Sequence, residues 1–161
     1  MINFSQKMHQ NATELKLETR KQQQISNAIS LEQAQAGIQF QVDDLKKKHL
    51  GATHRTNAPC TTYNCHGLTF ASRRTAISDS KEIAKILHDD GYIVVEPTKV
   101  LPGDIVVYYR DGAADHSGIV TEIGGMAPKI LSKWGYCHEV VHFLNDCPYE
   151  TKDVKYYRIV S

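Results

Sequence analysis

The pattern of apolar and polar positions divides the chain into two parts with different periods. From about Asn11 to His49 it is rich in Gln, Glu, Lys and Ala, with no proline and one glycine, a composition that favours helix. Leu15, Ile25 and Ile29 form a thin apolar stripe, and Leu31, Ala34, Ile38, Val42 and Leu45 continue it. This reading predicts two helices, near 12–29 and 31–48, broken around Ser30. Ser30 would cap the second helix, with Gln33 completing a capping box. The first ten residues read as disordered. Residues 50–64 then form a loop leading to a helix at about 65–75. Asp79-Ser80-Lys81-Glu82 reads as a second capping box, opening a helix with Ile83, Ile86 and Leu87 on one face and Gly91 at its end. Beyond it the period shortens to that of strands, at 92–95, 104–109, 116–123, 129–134, 139–143 and 154–160. Several are joined by short turns, among them Asp111-Gly112 and Gly124-Gly125. Consecutive strands with short connections make an antiparallel meander. Helices first and strands later give an α+β protein, with residues 1–50 a helical arm that either packs on the domain or docks a partner protein, and 51–161 the main domain.

Composition narrows the function classes. At 161 residues the chain is one domain with an appendage. Lys and Arg number 19 against 18 Asp and Glu, so neither a nucleic-acid-binding basic excess nor an acidic tail is present. No apolar run is long enough for a transmembrane segment, and Met1 to Lys7 lacks the apolar core of a signal peptide. The expected location is cytoplasmic as synthesised, with export by a route needing no signal left open. The four cysteines, Cys60, Cys65, Cys137 and Cys147, read as free, metal-binding or catalytic rather than as disulfides. Cys60 and Cys65 are separated by four residues, and His66 and His138 adjoin cysteines. No Cys-x-x-Cys pair occurs, so zinc is not expected. No other cofactor is expected either.

The chemistry-bearing stretch is Tyr63-Asn64-Cys65-His66-Gly67-Leu68. Cys65 is placed at a helix start, where the positive end of the helix dipole lowers a thiol pKa. Gly67 has no side chain to crowd the first turn, so another chain can come close. A thiol nucleophile needs a base within reach, and histidine suits neutral pH. Of the eight histidines, His116 opens a strand just after the Asp111-Gly112 turn, where it can face a cleft.

With Leu101-Pro102-Gly103-Asp104 and Asp115-His116-Ser117-Gly118-Ile119-Val120, this stretch resembles the NlpC/P60 cysteine peptidases and the related CHAP amidases. Their pattern is an aromatic-Asp-Cys-Ser-Gly-Leu block, then Pro-Gly-Asp and a strand, then His-x-Gly-Ile. Cys65, Gly67, Leu68, Pro102, Gly103, Asp104, His116, Gly118 and Ile119 match in type and order. The likeness runs from about Tyr63 to Val120. It implies a papain-like fold, with the nucleophile helix packed on an antiparallel sheet, and a hydrolase that cleaves amide bonds through a thioester. Its substrate would be a peptide or amide, peptidoglycan among the candidates. An acyl or amide transferase on the same scaffold and a non-catalytic binding module are the alternatives.

The resemblance also assigns roles. Cys65 would attack and His116 act as base, then acid. A polar residue on the next strand would hold the imidazole: Ser132 by position, with His142 and Glu139 as alternatives. The backbone N–H of Cys65 and the Tyr63 hydroxyl would serve the oxyanion. Asn64 and His66 stand where the family has an Asp and a Ser that bind the amine of the substrate peptide. An uncharged Asn64 and a bulkier, cationic His66 depart from that pattern. Finally, His116 and Gly118 should share one strand face, with Gly118 leaving room for the helix of Cys65.

Overall fold

The computed structural model describes residues 12–30, 37–56, 59–125 and 127–160. Among these are three helices, α1 (Gly37–Lys48), α2 (Cys65–Phe70) and α3 (Ser80–Asp89). A two-stranded antiparallel pair joins β1 (Ala12–Thr13) to β2 (Ile29–Ser30). The remaining strands are β3 (Thr53–His54), β4 (Tyr92–Val95), β5 (Ile105–Arg110), β6 (Ala113–Glu122), β7 (Lys129–Lys133), β8 (Glu139–Phe143) and β9 (Asp153–Ile159). They form one antiparallel sheet in the order β3-β8-β7-β6-β5-β9-β4. The protein is thus α+β, with the expected meander β5-β6-β7-β8 at its centre.

Strand β5 explains the two-sided core. Its residues Ile105 to Tyr108 are all buried, because alternate side chains are covered on opposite faces. Ile105 and Val107 pack with Ile77, Ile83, Ile86, Leu87 and Tyr157 on the helix side. Val106 and Tyr108 pack with Val120, Ile130, Trp134, Val140 and Tyr156 on the other. The Pro102-Gly103-Asp104 turn fastens β5 to β6. Gly103 has φ +95°, its N–H donates to the Val120 carbonyl at 2.8 Å, and the Val120 N–H donates to the Asp104 carbonyl at 2.8 Å. Buried Asp104 accepts both arms of the Arg158 fork, at 2.6 and 2.7 Å. Burial works against its carboxylate, but Arg158 and the Leu101 N–H outweigh it and hold the pKa below the usual range.

The N-terminal segment departs from expectation. Residues 12–30 are not a helix but an extended strap. Ile25 is 1% exposed inside the core of α3 and β5. Ala28 and Ala76 exchange backbone hydrogen bonds at 2.9 and 3.0 Å, and the Thr19 hydroxyl donates to Asp89 at 2.9 Å. Gln22 at φ 62° turns the chain in the middle. Long-range bonds here override helix propensity, a weak bias of tenths of a kcal/mol per residue. Helix α1 accounts for 37–48 of the second expected helix. Ser30 lies in β2, while residues 1–11, Leu31, Gln33 and Ala34 lie outside the described residues. No helix among the described residues is long and apolar enough to cross a membrane.

The expected cap of α3 forms, with the Asp79 carboxylate accepting from the Lys81 N–H at 2.9 Å. The reciprocal half of the box does not. Glu82 turns to the Ser26 N–H at 3.2 Å and to Lys85 at 2.9 Å, tying the helix to the strap. Gly91, at φ 76°, ends this helix as expected.

Candidate active site

Helix α2 begins at Cys65 because Asn64 caps it. The Asn64 amide oxygen accepts from the Gly67 N–H at 2.9 Å and from the Ile77 N–H at 3.2 Å, and its NH2 donates to the Ile77 carbonyl at 2.8 Å. The side chain is therefore consumed in clamping the helix start to the segment before α3, leaving little with which to bind a substrate. Gly67 permits that clamp: a Cβ there would lie 1.9 Å from the Thr75 carbonyl oxygen. The helix ends at Phe70, earlier than expected, where Ala71 leaves helical geometry and Ser72 and Arg73 adopt positive φ.

The other neighbours of Cys65 are also committed internally. His66 is 4% exposed and its Nδ1 pairs with the Ser117 hydroxyl at 2.8 Å. Burial pushes its pKa down to about 4, opposed by a hydrogen bond to the Ala114 carbonyl. It is thus a neutral buried ring rather than the expected cation. The Tyr63 hydroxyl donates to Glu139 at 2.6 Å, which leaves no O–H for an oxyanion. Glu139 is gripped in turn by Arg73 at 2.5 and 3.1 Å, so it too is unavailable to His116.

His116 lies on β6 opposite Tyr108, next to a bulge at Asp115 that shifts the register between Tyr108 and Tyr109. Helix α2 meets β6 through Ser117, whose hydroxyl also donates to Thr69 at 3.0 Å. His116, one residue earlier, is turned to the other face. It is fully buried, stacked on Tyr149 with ring centroids 3.6 Å apart at 7°, and flanked by Tyr108 at 5.2 Å. Neither ring nitrogen has a hydrogen-bond partner among the described residues. Burial, then the neighbouring His142 and His66, hold its pKa well below the ordinary value.

The thiol of Cys65 lies against the peptide N–H of Ser117, the one that follows His116. That N–H and those of His66 and Cys65 favour the thiolate. Burial outweighs them and pushes the thiol up to about 11, so the helix start does not by itself activate the sulfur. No hydrogen bond joins Cys65 to His116: the sulfur meets the peptide N–H of Ser117, while the His116 ring lies among Tyr149 and Tyr108. Ser132 sits beside Gly118 on β7, as expected, but its hydroxyl pairs with His142 Nε2 at 2.7 Å and not with His116. Gly118 makes room for β7 rather than for α2. A Cβ there would meet Ile130 Cγ2 at 2.5 Å and the Leu131 carbonyl at 2.8 Å.

Two neighbours gave no sequence signal. Lys133 is 1% exposed, donates to the carbonyls of Cys60 at 2.6 Å and Gly135 at 2.9 Å, and lies over the Tyr63 ring at 5.0 Å. Burial lowers it to about 8 against the pull of Cys60, Cys137, Cys65 and Glu139. Tyr149 comes from the loop between β8 and β9, where nothing but a Pro-Tyr pair marks it. Elsewhere, His54 Nδ1 abuts His138 Nε2. No group of three His, Cys, Asp or Glu side chains among the described residues is disposed to hold a metal ion.

The chain matches no protein-family model, and no curated protein or solved structure is significantly similar to it.

Proposed function

We propose that this protein is a cysteine-dependent hydrolase of amide bonds with a papain-like fold of the NlpC/P60 and CHAP kind. The observation that carries the reading is the meeting of two elements. A capped helix begins at Cys65, whose sulfur lies against the peptide N–H of Ser117, the residue that follows a histidine whose two buried nitrogens lack partners. A buried imidazole without partners is costly, about 1–3 kcal/mol for each unsatisfied group, and is retained where chemistry needs it. In the reaction His116 takes the Cys65 proton and sulfur attacks the amide carbonyl. The imidazolium then protonates the leaving amine, and water resolves the thioester. The N–H groups around the sulfur supply the oxyanion donors that Tyr63 does not. With Asn64 and His66 turned inward, the substrate is a peptide or amide that needs no anionic clamp at those positions. This weighs against the peptidoglycan stem amine.

A second reading is a non-catalytic binding module on the same scaffold. It draws on the burial of Cys65, 6% exposed, and on the raised pKa of its thiol. Iodoacetamide labelling near neutral pH separates the two. The hydrolase reading expects Cys65 to react before Cys60, Cys137 and Cys147, and His116→Gln to slow it. First labelling at Cys60, or a rate indifferent to His116, rejects it.

A further inference from the structure

A cysteine–histidine pair needs a third group that fixes the imidazole and steadies its positive charge. The polar candidates are all engaged elsewhere: Ser132 with His142, His142 also with the Phe143 carbonyl at 2.8 Å, and Glu139 with Arg73 and Tyr63. What does touch the ring is aromatic. Tyr149 covers one face of it, nearly parallel, and Tyr108 leans on it at 56°. Tyr149 is itself anchored, since its hydroxyl accepts from the Gly135 N–H at 3.0 Å. The loop that carries it is pinned where the Tyr108 hydroxyl donates to the Leu144 carbonyl at 3.2 Å.

We propose that Tyr149 is the positioning residue of this site, holding the plane of the His116 imidazole by stacking and stabilising the imidazolium formed when His116 takes the Cys65 proton. The step balances within the pair: the S–H bond breaks, its electrons stay on sulfur, and an N–H bond forms on the ring. An aromatic face serves both ends of that transfer. It restricts the plane of a neutral ring, and its quadrupole attracts a cation lying over it. The titratable groups facing His116 are Tyr149 from the loop, Tyr108 on β5, His142 on β8 and His66 on α2. The carboxylate of Asp115, which acts on Cys65 and Tyr149, is turned to Arg110 at 3.0 Å, so the aromatic face is the electron-rich surface in contact with the ring.

The proposal rests on the Cys65–His116 reading, and the test separates the two. In the full chain, Cys65 alkylation by iodoacetamide is followed against pH, and the His116 ring tautomer is read by 15N NMR. His116→Gln tests the reading alone: an unchanged alkylation profile rejects the pair and the Tyr149 role with it. Given a His116-dependent rate, Tyr149→Phe is expected to stay within about twofold of the parent. Tyr149→Leu should lose about tenfold of that rate at pH 6.5, as the loss of a desolvated cation–aromatic contact implies, and the ring tautomer signals of His116 should shift toward the neutral form at a given pH. A folded Tyr149→Leu protein with the parental pH profile and the parental protonation of His116 overturns the proposal and leaves the pair standing. Should the leucine variant not fold, pentafluorophenylalanine at position 149 decides. It keeps the ring and reverses its quadrupole, so a parental rate there overturns the imidazolium role and a tenfold fall supports it.

Discussion

The two faces of the central sheet differ in how completely their buried polar groups are satisfied. On the helix face they are satisfied: Asn64 makes three bonds to the backbone, Ser117 bridges His66 and Thr69, and Thr75 donates to Asn27 at 2.7 Å. On the other face and its rim, among the described residues, both nitrogens of His116, the Trp134 indole N–H and Nδ1 of His138 are buried without partners. A polar group with its full set of bonds specifies structure. One left without partners lowers stability and calls for an explanation outside the fold. On the proposed reading, the helix face is the frame that fixes Cys65, and the opposite face is where stability is given up for chemistry.

Acid should strike the second face hardest, and this is the largest effect expected. Five histidines have lowered pKa values, four of them, His54, His116, His138 and His142, on that face and its rim, with His66 the fifth. Burial is the leading cause in each. All are neutral when folded and bind a proton near pH 6.5 when unfolded. The unfolded chain thus holds more protons below that value, and stability falls as pH drops from about 6.5 through about 4. Thermal unfolding across that range should give a steadily declining Tm. A flat Tm down to pH 4 would mean that these rings are not buried neutral.

The frame should fail in a different way, through backbone contacts. Gly67→Ala drives a Cβ into the Thr75 carbonyl, where rigid backbone must shift. The expected loss is about 3 kcal/mol in urea unfolding. Asn64→Ala removes the cap and leaves both Ile77 backbone groups unpaired, for an expected loss of about 2 kcal/mol. A Gly67→Ala protein as stable as the parent would break the comparison, since the close approach of α2 to Thr75 is what seats Cys65.

How much of this could be read in the sequence follows the same division. Strands β4 and β8 match the expected 92–95 and 139–143, and β5, β6, β7 and β9 agree to within a few residues, because period-two patterns with Gly turns are local signals; β3 at Thr53–His54 falls inside the expected loop at 50–64. The start of α2 at Cys65 was legible from the turn-prone loop before it, as was the Asp79 cap. The strap at 12–30 was not, since Ala28 and Thr19 are held by partners 48 and 70 residues away and Ile25 packs into the core of α3 and β5. The contacts of Tyr63, Asn64 and His66 differ from those expected for a related reason. A motif marks positions near a nucleophile, but only tertiary packing decides whether a polar side chain faces substrate or its own fold. Tyr149 left no trace, because stacking on His116 has no spacing rule.

The smallest stability effect is also the one that sharpens the comparison most. His116→Phe keeps a flat ring stacked on Tyr149 and removes two buried nitrogens that have no partners. Each unsatisfied group costs about 1–3 kcal/mol, and the slightly larger ring costs part of that back in packing, within the range of about 1–3 kcal/mol for added core atoms. The expected outcome is a protein more stable than the parent by about 1 kcal/mol, measured by urea unfolding above pH 7, clear of the range in which the buried histidines titrate. The same substitution should remove the His116-dependent alkylation of Cys65. A group that is structural behaves in the reverse manner, as Asn64 should: its loss destabilises. If His116→Phe were to lower stability by about 2 kcal/mol or more, the imidazole would be making bonds that hold the fold, and the two faces would not differ. Stability gained while reactivity is lost is the signature of a residue kept for its chemistry.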